Sequence, residues 1–207
     1  MKKTCHIVGA GDFSLGLLEI EKGDTVIACD GGLDHLIGNG IAVDYCIGDF
    51  DSLGRIPEGD YKLTVLPREK DVTDTHAACN MALDMGFENI KLYGMLGGER
   101  FSRSLANIQL ACGLCRKGVK VEIIDGKCRI IPIKDGKITF DKDVFATVSL
   151  FAFGGEAVCS CRGLKYEIES RLLTPYFALG VSNELLGKGG EIEILSGLGV
   201  AVIEKKA

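Results

Sequence analysis

Tyr45-Cys46-Ile47-Gly48-Asp49-Phe50-Asp51-Ser52 joins a short apolar run to a glycine and two carboxylates. The run Tyr45–Ile47 is too short for a helix and reads as a buried strand, with the acids just past its carboxyl end. The same phrase occurs on either side. Thr25–Cys29 is apolar and leads into Asp30-Gly31-Gly32, and Lys62–Leu66 precedes Lys70-Asp71-Val72-Thr73-Asp74. Five acids, Asp30, Asp49, Asp51, Asp71 and Asp74, therefore follow strand ends within the first 75 positions. Carboxylates gathered there, beside glycines that admit a phosphate, suggest a Mg²⁺–nucleotide site.

Outward from that stretch, strands and helices alternate. Thr4–Gly9, Ile90–Leu92 and Lys120–Ile124 read as further strands, while Phe13–Glu21, Gly32–Asn39, Thr73–Met85 and Ser104–Lys117 read as helices. Such alternation predicts a parallel sheet covered on both faces, with ligands outside the strands' carboxyl ends. After residue 125 the rhythm changes. Cys128–Ile133, Lys137–Phe140, Thr147–Ala152, Ala157–Arg162, Gly190–Ile194 and Gly199–Ile203 are short, β-rich and separated by turns, leaving little room for crossover helices. The expectation is an α/β chain: an α/β/α domain with a parallel sheet over 1–125, then an antiparallel β-sandwich domain over 126–207.

Composition narrows the function. The 207 residues are 46% hydrophobic and 26% charged, enough for a real core, and a formal charge of -5 argues against a nucleic-acid surface. No apolar stretch reaches membrane-spanning length, and the opening residues read as a first strand ending in a glycine turn. The nine cysteines are odd in number and scattered, which fits buried thiols in a reducing compartment, the cytoplasm. Cys112-Gly113-Leu114-Cys115 is the one CxxC, and His6, His35 and His76 supply no second ligand pair for zinc at a usual spacing.

If Asp49–Asp51 is extended, both carboxylates face one side and Phe50 the other, buried side. Two acids so held repel unless a cation neutralises them, which points to Mg²⁺; the competing reading is a solvated turn with aspartate caps. Asp74 lies near a helix start that Thr73 or Asp71 can cap. Asp30 is either a turn aspartate or a cofactor or substrate contact. Gly94, Gly97 and Gly98 form a bend whose amides can approach phosphate oxygens, and Arg100 and Arg103 follow as bidentate donors. Gly9-Ala10-Gly11 begins a dinucleotide fingerprint, but Ser14 replaces its third glycine, and there is no Walker A lysine pattern.

Asp30-Gly31-Gly32, Gly48-Asp49-Phe50-Asp51-Ser52, Lys70-Asp71-Val72-Thr73-Asp74, Gly94-Met95-Leu96-Gly97-Gly98, Leu105-Ala106-Asn107, Gly163-Leu164-Lys165-Tyr166 and Ser182-Asn183-Glu184 stand in this order along nearly the whole chain. The set resembles the thiamine pyrophosphokinase family. The resemblance implies an α/β catalytic domain, a β-sandwich, a homodimer with active sites between subunits, and transfer of diphosphate from ATP to the hydroxyethyl group of thiamine, leaving AMP.

The resemblance also suggests roles: Asp49, Asp51 and Asp74 on Mg²⁺, with Asp71 beside the metal or bonded to the nucleotide. Asp30 orients a water or the nucleophile, and Arg100, with Lys70 as a second candidate, balances the migrating diphosphate. Gly31, Thr73, Gly97, Gly98 and Asn107 contact the nucleotide; Ser102, Ser182 and Asn183 contact the acceptor. Tyr166, Tyr176 or Phe177 is available for stacking on its ring. The chain departs from the family's Gly-Gly-Arg-x-Asp-His at Gly97-Gly98-Glu99-Arg100-Phe101-Ser102-Arg103, where Glu99 looks inserted and Ser102-Arg103 replaces Asp-His. Losing an acid and gaining Arg103 disfavours a cationic acceptor, so a neutral alcohol such as 6-hydroxymethyl-dihydropterin, or a degenerate nucleotide-binding regulator, stands as the alternative.

Overall fold

The computed structural model describes residues 3–51, 53–98 and 100–205; Ser52 and Glu99, both singled out above, lie outside the described residues. The chain divides into two units, 1–110 with 118–126, and 111–117 with 127–207.

The first unit is built on six strands: β1 (Cys5–Val8), β2 (Thr25–Cys29), β3 (Tyr45–Gly48), β4 (Lys62–Val65), β5 (Asn89–Tyr93) and β6 (Lys120–Ile124). They lie in the order β4-β3-β2-β1-β5-β6, each parallel to its neighbour. Every residue of β1 is buried, because helices cover both faces. Val8, Ala28 and Cys46 cluster with Leu33 and Leu36 of α1 (Gly32–Ile37). Cys5 and Cys29, of opposite parity, lie beside Cys79 of α2 (Asp74–Asp84). The order of connection reverses between β1 and β5, which makes the crevice beyond their carboxyl ends the topological switch point.

The expected helix over Phe13–Glu21 does not form; one 3-10 turn, Leu15–Leu17, takes its place. Gly16 weakens any helix there, and both flanks are tied elsewhere. Asp12 N–H donates to Leu96 O at 3.0 Å, and Glu21 N–H donates to Asp24 Oδ2 at 3.0 Å. Asp24 also accepts from Thr4 N–H at 2.8 Å and faces His6 Nε2 at 3.0 Å. A carboxylate only accepts, so Nε2 carries the proton and Nδ1 accepts from Tyr93 O–H at 3.3 Å. Burial pulls the His6 pKa down and keeps this ring neutral, against the pull of Asp24. Burial alone would raise Asp24, but the hydrogen bonds from Thr4, Glu21 and His6 hold it below the usual carboxylate range.

In the second unit, five of the six segments expected as short strands are parts of longer ones. Cys128–Ile133, Lys137–Phe140 and Thr147–Ala152 all fall in β7 (Cys128–Ala152), and Gly190–Ile194 and Gly199–Ile203 in β10 (Gly180–Lys205). β8 (Ala157–Arg162) has the expected bounds, and β9 (Ile168–Leu173) is an addition. Pairing register resolves these into two antiparallel four-stranded sheets. One runs 128–134, 198–205, 146–152 and 180–186; the other runs 136–140, 190–194, 157–162 and 168–173. β7 and β10 therefore pass through both sheets of a sandwich. β10 crosses over at a bulge between Ile194 and Leu198, where Gly197 has φ +86 and a Cβ would sit 2.3 Å from Glu156 O. Val148, Leu150, Leu173, Leu185, Ile192 and Ile194 fill the space between the sheets.

All nine cysteines are free. Cys115, second in the CxxC of α3 (Phe101–Arg116), donates from Sγ to Pro132 O at 3.4 Å, and among the described residues no three His, Cys, Asp or Glu side chains gather as a metal site.

Candidate active site

The ends of β2 and β3 lie side by side. Asp30 N–H donates to Ile47 O at 3.0 Å, and a Cβ on Gly48 would come within 3.2 Å of Asp30 Cα. Asp30 and Phe50 both adopt left-handed backbone, φ +48 and +56. Such a conformation is an outlier for a bulky residue and persists only where the surroundings enforce it. Phe50 is pinned by burial among Leu33, Leu36 and Cys46. The segment is thus a turn and not the extended strand expected from its alternation. Phe50 is buried as expected, but Asp49 is half-buried while Asp51 is exposed, and Asp51 N–H donates to Asp49 Oδ1 at 3.3 Å.

Asp49 and Asp74 meet at one cation. Lys70 Nζ lies 2.5 Å from Asp49 Oδ2 and 3.0 Å from Asp74 Oδ1. The first contact is an aligned hydrogen bond; Asp74 Oδ1 is buried and has no hydrogen-bond partner, so the second is a charge contact only. The hydrogen bond from Lys70 holds the Asp49 pKa down. Burial raises Asp74 despite Lys70, and the charges of Asp49 and Asp30 add to the effect. Burial alone would lower Lys70, but its contacts with the two carboxylates outweigh it and hold its pKa up.

Helix α2 fixes Asp74 in its first turn. Of the two capping candidates, Thr73 is the cap, its Oγ1 accepting from His76 N–H at 3.2 Å. Asp71 is exposed.

The second part of the site is the glycine loop after β5. Gly9 N–H donates to Tyr93 O and Gly11 N–H to Gly94 O, both at 2.8 Å, so the loops after β1 and β5 interlock at the switch point. Gly94 has φ +62 and a Cβ would lie 2.3 Å from Gly9 O, so glycine is required there. Asn107 of α3 donates from Nδ2 to Met95 O at 2.8 Å, which fastens the loop from behind. Gly97 and Gly98 are exposed at φ +73 and +74; space around Gly98 is open, whereas the Asp12 carboxylate lies over Gly97. Gly31 packs toward Ala10, with 3.0 Å left for a Cβ. Arg100 is exposed and its carbonyl accepts from Arg103 N–H at 3.0 Å. α3 begins at Phe101, three residues before the expected Ser104, so the departing Ser102 and Arg103 stand exposed in its first turn.

Ser182 and Asn183 belong to the second unit, on β10. Ser182 has φ +62, and its N–H donates to Ser149 Oγ at 3.2 Å. Asn183 accepts from Tyr166 N–H at 2.9 Å through Oδ1 and donates from Nδ2 to Tyr166 O at 2.7 Å. That reciprocal pair locks the Gly163–Tyr166 turn, which Lys165 and Glu184 also bridge. Tyr166 and Asn183 line a cavity of about 300 Å³ with Leu150, Leu164, Leu173 and Val181. Tyr176 and Phe177 are exposed.

Two residues outside the expected set support the switch point. His35 Nε2 lies 3.0 Å from Gly11 O, and its ring stacks on Phe13 at 5.3 Å. Asp12 is the other. Its position right after Gly9-Ala10-Gly11, at the end of the first strand, was the available signal.

Known proteins match both units. The model of the thiamin pyrophosphokinase catalytic domain matches residues 18–123, and that of the thiamin pyrophosphokinase vitamin B1 binding domain matches 135–198. The thiamine pyrophosphokinase of Bacillus subtilis is 30% identical over 206 residues, 95% of this chain and 96% of that one. Its crystal structure aligns with a TM-score of 0.84 at 25% identity, covering 99% of this chain and 100% of the other. Thiamin pyrophosphokinase from Candida albicans shares the fold at 17% identity, with a TM-score of 0.80 over 99% of this chain and 90% of its own. With the two models together spanning most of its length, this chain belongs to the thiamin pyrophosphokinase family.

Proposed function

We propose that this protein is an ATP-dependent pyrophosphokinase that converts thiamine and ATP to thiamine diphosphate and AMP. The hydroxyethyl oxygen of thiamine attacks the β-phosphorus, a new P–O bond forms, and the bond to the α–β bridging oxygen breaks. AMP leaves with that oxygen, and the hydroxyl proton is released to water. The observation that carries this reading is the meeting of Asp49 and Asp74 at a single cationic position beside a strained strand end.

The donor set fits Mg²⁺. Two hard carboxylate oxygens converge, Asp74 Oδ1 is buried without an aligned donor, and Mg²⁺ is commonly held by one or two carboxylates plus substrate phosphates. Asp49 and Asp74 would hold it, with Asp51 and Asp71 at the exposed rim. Bound there, Mg²⁺ supplies charge neutralisation for the phosphate oxygens. Asp30 orients the attacking hydroxyl. Amides at Gly97 and Gly98 and the guanidinium of Arg100 receive the diphosphate, and positioning with charge neutralisation carries most of such a transfer. Gly31, Thr73 and Asn107 act by shaping the loops that face the nucleotide.

In this reading the first unit serves nucleotide and metal, and Ser182 and Asn183 of the second unit serve the acceptor. The second unit exposes Phe151, Tyr176, Phe177, Leu179 and Val181. This supports pairing of two copies, since so many exposed apolar groups on a small unit usually mark an interface. Nine free thiols fit a reducing compartment, which we take as the cytoplasm. Among the described residues no helix is long and apolar enough to cross a membrane.

The test is AMP release from Mg-ATP by the purified protein with thiamine, and in parallel with 6-hydroxymethyl-dihydropterin, each product being identified by mass. Thiamine diphosphate is expected. Reaction with the pterin alone would reassign the acceptor and give Arg103 its reason, and AMP from neither would leave a nucleotide-binding protein without transfer activity.

A further inference from the structure

Lys70 stands where two site carboxylates need a positive charge. Its Nζ is 2.5 Å from Asp49 Oδ2 and 3.0 Å from Asp74 Oδ1, and its side chain is only 12% exposed. Without a cation at that point the two acids would repel each other in a half-buried setting, an arrangement that one positive charge relieves. A divalent ion reaching the same two oxygens would lie about 2.0–2.1 Å from each. An ammonium at the same two oxygens would be repelled by that charge and would compete with it for their lone pairs.

The chain around Lys70 suits it to move. Asp74 is held inside the first turn of α2, and Thr73 caps that helix. Lys70 lies before the cap, in residues 66–73, which join β4 to α2 without regular structure. The lysine stem can therefore swing while Asp49 and Asp74 stay in place. An ammonium on a flexible four-carbon stem suits such a move better than a planar guanidinium.

We propose that Lys70 is a resident counter-ion that divalent metal displaces. In the metal-free protein its ammonium keeps Asp49 and Asp74 together; on metal binding it leaves them and turns to the phosphate chain of the incoming nucleotide. Metal loading and the presentation of a cation to the substrate thus become one event. This rests on the proposed metal site, and it gives Lys70 a second position that a simple phosphate ligand would not need.

Two measurements test it. Calorimetric titration of Mg²⁺ without nucleotide compares wild type, Lys70→Met and Asp49→Asn. Removing the competing charge should make Lys70→Met bind Mg²⁺ about tenfold or more tightly than wild type, since a unit charge a few ångströms away acts strongly on a divalent ion. Its melting temperature should fall below wild type in EDTA and recover with Mg²⁺. Equal or weaker Mg²⁺ binding by Lys70→Met overturns the displacement and leaves the metal site standing. If neither wild type nor Lys70→Met binds Mg²⁺, with or without ATP, the metal site itself fails, and the inference with it.

The second measurement needs no variant. Acetylation of wild type by an amine-reactive reagent, followed at Lys70 by peptide mass, should speed up several-fold on adding Mg²⁺ and slow again when ATP is added with it. A rate that Mg²⁺ leaves unchanged overturns the proposal.

Discussion

The two units place chemistry in opposite ways. In the first, parallel strands are sealed by helices and side-chain chemistry collects where they stop, with Asp30 and Phe50 held in left-handed backbone at two of those ends. In the second, antiparallel strands run on through both sheets, and the polar residues of interest lie along β10, tied to neighbours by hydrogen bonds such as the reciprocal pair between Asn183 and Tyr166. A parallel sheet leaves all its strand ends on one side, so acids from distant segments can converge there. An antiparallel sandwich scatters its ends, and its recognition surface is made from strand edges and turns.

That contrast can be broken. Asp74→Asn removes a converging charge from the first unit and should lower the turnover of AMP formation by about 10²–10³-fold, the size typical of losing one strong electrostatic contact in a transition state. Near-normal turnover would mean that the convergence of Asp49 and Asp74 is structural. Gly94→Ala attacks the switch point itself. A methyl group 2.3 Å from Gly9 O in left-handed backbone should cost about 1–3 kcal/mol in urea unfolding, and a loss near zero would show that the interlocked loops have slack. In the second unit, Asn183→Ala should cost only about 1 kcal/mol, because the groups it releases on Tyr166 can turn to water. Turnover at saturating substrate should stay within a few-fold of wild type. A collapse of turnover equal to that of Asp74→Asn would erase the difference between the units.

Much of the first unit was legible because β1, β2 and β3 are mostly apolar, and Asp30 and Asp49 follow β2 and β3 at once. Asp49 announced itself by position, and so did Asp74 at the start of the helix that Thr73 caps. What alternation could not tell was that Phe50 turns in the left-handed region, since a buried aromatic between two acids fits a strand equally well. The helix expected over Phe13–Glu21 failed for a similar reason: its apolar spacing was adequate, but Asp12 and Glu21 found hydrogen-bond partners outside it. In the second unit, Ile168-Glu169-Ser170-Arg171-Leu172-Leu173 alternates too poorly to show β9. The continuity of β7 was hidden by Lys134-Asp135-Gly136, which looks like a hairpin turn and instead lies within the strand. The pairing of Lys70 with two acids also had no clear local signal, because Asp49 is far from it in sequence and only the turn after β3 brings the two together.

The shared strands of the sandwich carry a consequence for how it comes apart. Cys128 at the start of β7 pairs with Glu204 near the end of β10, and the same stretch of β10 is held again by Thr147. Neither sheet can open at these shared strands without pulling them out of the other, so partial unfolding through β7 or β10 has no inexpensive route. The unit should be slow to form, because most pairings of β7 with β10 join segments far apart in its sequence. Once closed, its interior amides should exchange with solvent only through opening of the whole sandwich, as one cooperative body.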